Sequence, residues 1–312
     1  MTTDEKLVAI LAAIQSDPGN RGLARDPVDN LFTACKSDFA AACLELANHP
    51  NPIVHLVTGF FIASAEPPCF ETDGPLGAAF VARAFHHLGI NTLLLSEPPC
   101  AKAMEAGIRA SGIHPEFLVE NVPHDGALHG PWVLGNRSRA IVGWTHTLAI
   151  ERSGPATDGK NYTMRGRDIS EHMLDAHVLF QPNPNGKPLS RTIGIGDGGN
   201  EIGMGKIPHE TIVKNIANGN LIHCRVPTDH LIVAGVSNWG AYALAAGIFV
   251  VRGVKPPAGL FDADREREIL EVMVREGPLV DGVTGKQTAT VDGLSWEDYV
   301  KPLNRIREIL ES

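Results

Sequence analysis

Six short stretches of the chain are apolar almost throughout, rich in β-branched residues and bounded by turn residues. They cover 53–59, 90–97, 115–122, 146–152, 191–197 and 230–238. Runs of this kind fit strands of a parallel sheet buried on both faces. Apolar positions recur at helical spacing over 76–89, 98–112 and 241–253, between strands or following them. A further amphipathic helix opens the chain, with Leu7, Ile10, Leu11 and Ile14 on one face. The alternation predicts an α/β fold: a doubly wound, mostly parallel sheet of about six strands, with flanking helices and long active-site loops. Residues 1–312 are expected to form a single domain, with the N-terminal helix (1–30) and a charged helical tail (261–312) packed on its surface.

The strands end differently from how they begin. Thr58, Ser96 with Glu97, Glu151 with Arg152, Asp197, and Ser237 with Asn238 stand at their carboxyl ends. In an open parallel sheet, ligands bind in the crevice outside those ends. Long irregular stretches follow the first, third and fourth strands, and loops of that length tend to be lids or binding loops.

Composition narrows the partners. Thirty-six acidic residues stand against 27 basic ones for a formal charge of −9, and the basic residues are dispersed. Nucleic acid is not an expected partner. No apolar run approaches the roughly 18 residues of a membrane span, so no membrane association is expected either. The five cysteines, Cys35, Cys43, Cys69, Cys100 and Cys224, are odd in number and form no CxxC pair, which fits reduced thiols and a cytoplasmic protein. A homo-oligomer is compatible with all of this.

The densest chemistry lies in RTIGIGDGGNEIGMGK, residues 191–206, read as the floor of an anion-handling site. Gly194, Gly196 and Gly199 satisfy GxGxxG, but Asp197 places a carboxylate where a pyrophosphate would approach. A phosphate loop of the GxxxxGK[ST] type fails as well. Asn200 replaces its first glycine, and Ile207 follows Lys206. What remains is a loop of six glycines that also carries Asp197, Asn200, Glu201 and Lys206. Its backbone N–H groups, around Gly198 and Gly199, can approach a ligand closely while the side chains act at the same place.

Other candidates gather around it. Glu71 and Asp73 lie in ETDGP, where Asp73 could cap the following helix. Glu151, Asp158, Arg165 and Arg167 lie in the stretch after the fourth strand, and an arginine fork suits a substrate carboxylate. Ser237 and Asn238 precede a helix that either could cap. Glu71, Asp197 and Glu201 could together hold a hard divalent cation, Mg²⁺ or Mn²⁺.

With TGFF (58–61), ETDGPLGA (71–78), ERSGPATDGKNYTMRGRDIS (151–170), GIGDGGNEIGMGK (194–206) and SNWGAY (237–242), the sequence resembles the D-glutamate cyclase family. More narrowly, it is similar to the domain that forms the C-terminal part of the animal enzyme. The animal enzyme also has an N-terminal domain that these 312 residues do not include. The resemblance implies conversion of D-glutamate to 5-oxo-D-proline with loss of water, on a small dicarboxylate or amino-acid substrate.

That chemistry needs a base for the ammonium, an acid for the departing oxygen and donors for an oxyanion. Glu71 and Asp197 are the expected acid and base, with Glu201 as the substitute for either. Gly198, Gly199, Asn200 and Lys206 are the expected oxyanion donors, and Arg165 or Arg167 the α-carboxylate clamp. A metal-dependent hydrolase of a small acidic or amide substrate, or a non-catalytic amino-acid-binding module, would use the same residues differently.

Overall fold

The structure is a computed structural model that describes residues 1–113, 119–121, 143–182, 186 and 189–312. Its main sheet has six strands: β1 (Ile53–Thr58), β4 (Asn91–Ser96), β5 (Val119–Asn121), β6 (His146–Ile150), β7 (Arg191–Gly196) and β8 (His230–Val233). Every neighbouring pair in it is parallel. The expected third strand is seen as β5; the rest of 115–122, and most of the loop after it, lies outside the described residues.

The strand order is β5-β4-β1-β6-β7-β8. The chain therefore starts in the middle at β1, runs to one edge, and returns to lay β6 on the other side of β1. In doubly wound sheets the point where the order reverses opens a crevice at the strand ends. Here that point falls between Thr58 and Ile150, which are partners in the β1–β6 register.

Adjacent strand residues feed different cores. Leu56, Leu94, Leu148 and Ile232 join one apolar cluster, whereas Val57, Leu95, Ala149 and Val233 join the other. The first cluster lies under long helices, Thr3–Ile14, Asp38–Asn48, Pro75–His87, Pro98–Ala110 and Ser237–Arg252. Ser237–Arg252 is apolar nearly all round and buried from Ser237 to Phe249, as a central helix should be. Gly253, with φ 63°, ends it. The second cluster is covered mainly by loops and short helices, with Tyr162, Leu174, Ile202, Met204 and Ile212 supplying much of the contact.

The tail packs on the outside in part. Helix Ala263–Glu276 lies on Pro98–Ala110, and Lys301–Glu311 lies on Thr3–Ile14. Between them the chain turns inward. The short strands β2 (Phe61–Ile62) and β3 (Cys69–Phe70) pair within the loop after β1. Val280 then docks beside β3, donating to Phe70 O at 2.9 Å and accepting from Thr72 N at 2.9 Å.

Candidate active site

Three turns meet above the switch point, and each is placed by a particular residue. The ETDGP turn crosses the ends of β1 and β6 so closely that a Cβ on Gly74 would lie 2.7 Å from Glu151 Cβ and 2.8 Å from Thr58 Oγ1. Gly74 also has φ 93°, so only glycine suits the position. Glu151, the first residue after β6, is a non-glycine residue at φ 42°. Such backbone strain persists where the surroundings fix it, commonly at functional sites.

Asp73 and Asn238 then cap each other's helices. Asp73 accepts from Ser237 N at 2.9 Å and Asn238 N at 2.8 Å. Asn238 Oδ1 accepts from Gly74 N at 2.9 Å and Gly77 N at 2.7 Å. Asp73 Oδ1 also accepts from Gly74 N at 3.0 Å, but the main exchange is between the two helices, which begin at the same crevice and present their unpaired N–H groups to each other. Ser237 Oγ donates to Glu151 Oε2 at 2.6 Å, fixing that carboxylate.

The glycine-rich loop binds its own acid. Glu201 folds back and accepts from Asp197 N at 3.2 Å and Gly199 N at 2.8 Å; Gly199 turns at φ 96° to allow it. The Gly199 N–H expected to face an oxyanion is therefore used by Glu201, and the floor of the site carries negative charge instead of receiving it. Asn200 Nδ2 donates to Tyr162 O at 2.7 Å, while its Oδ1 is buried without a donor among the described residues.

The segment DPGNRG supplies the cation. Asp17 ties the turn through Arg21 N, Gly22 N and Leu23 N at 2.8–3.0 Å. Arg21 then reaches Asp197 at 3.0 Å, Gly235 O at 3.0 Å and Asp292 at 2.8 Å. Asp292 arrives on the inward-turning tail, whose loop is held by Asp281. The two Asp281 oxygens accept from Val283 N, Thr284 N, Thr290 Oγ1 and Gly293 N at 2.7–3.0 Å.

The result is a cavity of about 350 Å³ lined by Arg21, Glu71, Asp73, Glu151, Asp197, Asn200 and Asp292, with Arg165 and Arg167 also on its wall. That is at the lower end of the roughly 300–1,000 Å³ of small-molecule sites. Six buried carboxyl groups, those of Glu71, Asp73, Glu151, Asp197, Glu201 and Asp292, gather around one guanidinium.

Burial, then the neighbouring Asp292 and Asp73, holds Glu71 well above the ordinary carboxylate range. Burial and the charges of Asp197 and Glu201 do the same for Glu151. Burial also raises Asp197 well above its usual value despite Arg21 beside it, and raises Glu201 despite its backbone donors. Asp73 is pushed up to about 7, chiefly by burial and Asp292. Burial opposes the charge on Arg21, but Asp197 and Asp292 outweigh it and hold that group above its ordinary value.

Of the residues expected from sequence, Glu71, Asp73, Glu151, Arg165, Arg167, Asp197 and Asn200 line the cavity. Glu201, Ser237 and Asn238 stand directly behind it, Gly198 and Gly199 join the lining residues Asp197 and Asn200 without lining it themselves, and Thr58 is buried under Gly74. Two expectations fail on position. Lys206 points away, pairing with Asp38 and with Asp229 O, because the loop turns back on β7 before reaching it. Asp158 accepts from Tyr162 Oη at 2.6 Å and is exposed; it closes a local turn. Arg21, Asp292 and the Asp281 loop were not singled out by sequence. The only signal for them was polar turn chemistry at DPGNRG and in the tail.

Fold and site define an α/β protein with an acid-lined, small-molecule-sized cavity at the switch point of its sheet. A family model described as "D-glutamate cyclase-like, C-terminal" matches residues 10–307, and the chain belongs to that family. It is 30% identical over 258 residues to the human protein named "D-glutamate cyclase, mitochondrial", a match covering 80% of this chain and 40% of that protein. The chain thus spans about two fifths of the length of that relative. No helix among the described residues is long and apolar enough to cross a membrane.

Proposed function

We propose that the cavity converts D-glutamate to 5-oxo-D-proline by intramolecular loss of water. The observation that carries this reading is the division of charge in the cavity. Buried carboxyl groups crowd its floor, and two arginines without an ion-pair partner among the described residues stand on its exposed wall. An amino acid with carboxylates at both ends and an ammonium between them matches that division. Membership of the family supports it, since the human relative is named a D-glutamate cyclase.

In lactam formation the amine nitrogen bonds to the carbon of the γ-carboxyl group, and one oxygen of that group leaves. An ammonium and a carboxylate become an amide N–H and water, so two protons move from nitrogen to oxygen with none gained or lost. Glu71 suits that transfer. Its raised proton affinity brings it closer to the amine it must deprotonate and the oxygen it must protonate. Asp73 and Asp292, beside it, receive the ammonium, and Arg165 or Arg167 holds the α-carboxylate by a planar fork. Ring closure is unimolecular, so holding the folded conformer supplies much of the rate.

Purified protein incubated with D-glutamate, and separately with L-glutamate, with and without Mn²⁺, should release 5-oxoproline from the D-isomer, followed by chromatography. No product under any of these conditions overturns the reading.

A further inference from the structure

The carboxyl groups of the site form two overlapping sets. Ligand oxygens of Asp73, Asp197 and Asp292 lie within 4.8 Å of one another, and so do those of Glu151, Asp197 and Glu201. Asp197 belongs to both. The first set already holds a cation, because Arg21 contacts both Asp197 and Asp292. In the second set Arg21 reaches Asp197 alone: among the described residues no lysine, arginine or histidine pairs with Glu151 or Glu201.

Asn200 makes this second set more than a group of acids. It is 1% exposed and lines the cavity, and its Oδ1 has no donor. That oxygen and Glu201 Oε1 converge over Gly198, at 2.7 and 2.8 Å from where a Cβ on that residue would sit. Two oxygens that face one space call for a cation or a shared proton between them. Met164 Sδ, 2.6 Å from the same point, also borders that space; the charged and amide groups are all oxygens, with no cysteine or histidine, which selects a hard ion.

We propose that Glu151, Asp197, Glu201 and Asn200 bind one divalent cation of the Mg²⁺ or Mn²⁺ class, and that Arg21 serves as the fixed positive charge of the adjoining Asp73–Asp197–Asp292 set. The site then takes one ion where its carboxylates alone would accommodate two. This revises the acid set expected from sequence, with Glu151 in place of Glu71 and Glu71 left for proton transfer. The inference deepens the cyclase reading, on which it rests only for the ion's use: the positive charge would offset Asp197, Glu151 and Glu201 where a γ-carboxylate must approach.

Mn²⁺ bound to the full chain without substrate, counted by electron paramagnetic resonance, tests it independently of turnover. The wild-type protein should bind one ion per chain. Glu151→Gln and Glu201→Gln should each weaken binding by at least the roughly 10- to 100-fold that loss of a supporting partner costs. Arg21→Gln should raise the count to two, while Arg21→Lys, which keeps a charge, should stay at one. No bound Mn²⁺, two ions in the wild type, unchanged affinity in both glutamine variants, two ions in Arg21→Lys, or one ion in a folded Arg21→Gln overturns the assignment. One Mn²⁺ bound with no 5-oxoproline formed would remove the cyclase reading and leave the ion site standing.

Discussion

Glu151 and Arg152 are neighbours at the end of β6, yet they enter two opposite kinds of buried charge. Arg152 turns to the loop-covered side and grips Glu97 with two hydrogen bonds of 2.7 Å. Leu174 N, at 2.7 Å, completes the shell of Glu97. One acid meets one base, and both are almost wholly inaccessible. Glu151 turns instead to the crevice, where six buried carboxyl groups meet a guanidinium, that of Arg21, that pairs with only two of them. Balanced burial locks a loop to a sheet. Unbalanced burial stores a demand for positive charge, which a substrate ammonium and a metal ion can both meet.

The contrast can be broken most severely at the reacting group. Glu71→Gln removes the proton carrier but keeps the side chain's size, so turnover should fall about 10²- to 10⁴-fold while the thermal midpoint holds or rises. A large drop in midpoint would make Glu71 structural, like Glu97.

Next in size is the balanced pair. Arg152→Met leaves Glu97 buried without a counter-charge and should cost about 3–5 kcal/mol in guanidinium unfolding. Adding Glu97→Met should recover most of it, because replacing both partners removes the stranded charge. Failure of the double variant to recover would show that the pair does more than satisfy itself.

The pH dependence sharpens the unbalanced side. Asp73 binds its proton up to about pH 7 in the folded protein, against an ordinary value of 3.8. Between these values the folded state holds a proton that the unfolded state has lost. Its contribution to stability is therefore full below pH 4 and is lost as pH rises through 7. Asp73→Asn keeps one acceptor oxygen for the N–H groups of Ser237 and Asn238, which Asp73 meets with two; it should lower stability at every pH by the lost cap but flatten that slope relative to wild type in denaturant titrations at pH 4–8.

The smallest effect is expected at the wall. Arg165→Gln and Arg167→Gln should change stability by no more than about 0.5 kcal/mol, since both are exposed, and should raise KM more than they lower kcat. An equal fall in kcat and kcat/KM would place them at the reacting bond.

Much of the fold was legible because its signals are local. Strands buried on both faces read as unbroken apolar runs, and helix Ser237–Arg252 shows its burial in its own composition. The acids at strand ends were legible for the same reason: Glu151 and Asp197 interrupt apolar segments. Distance in sequence hid the rest. Nothing near Asp73 shows that it caps a helix 164 residues away, and nothing near Asp292 shows that Arg21 will meet it. The glycine-rich loop looked suited to an anion because its glycines free N–H groups, but Glu201, two residues after Gly199, claims one of them. A loop's own side chains compete with any ligand for its backbone.

The site draws on five separate stretches of chain, from the Asp17 turn to the Asp281 loop. Synthesis delivers them in that order, so the pocket stays open on one side until residue 292 has left the ribosome. When β7 has emerged, Arg21 can have only Asp197 of its two carboxylate partners, and the buried Leu270, Leu279 and Tyr299 of the tail have still to join the core. Completion of the pocket and closure of the core on its helical side thus fall together, at the end of the chain's production.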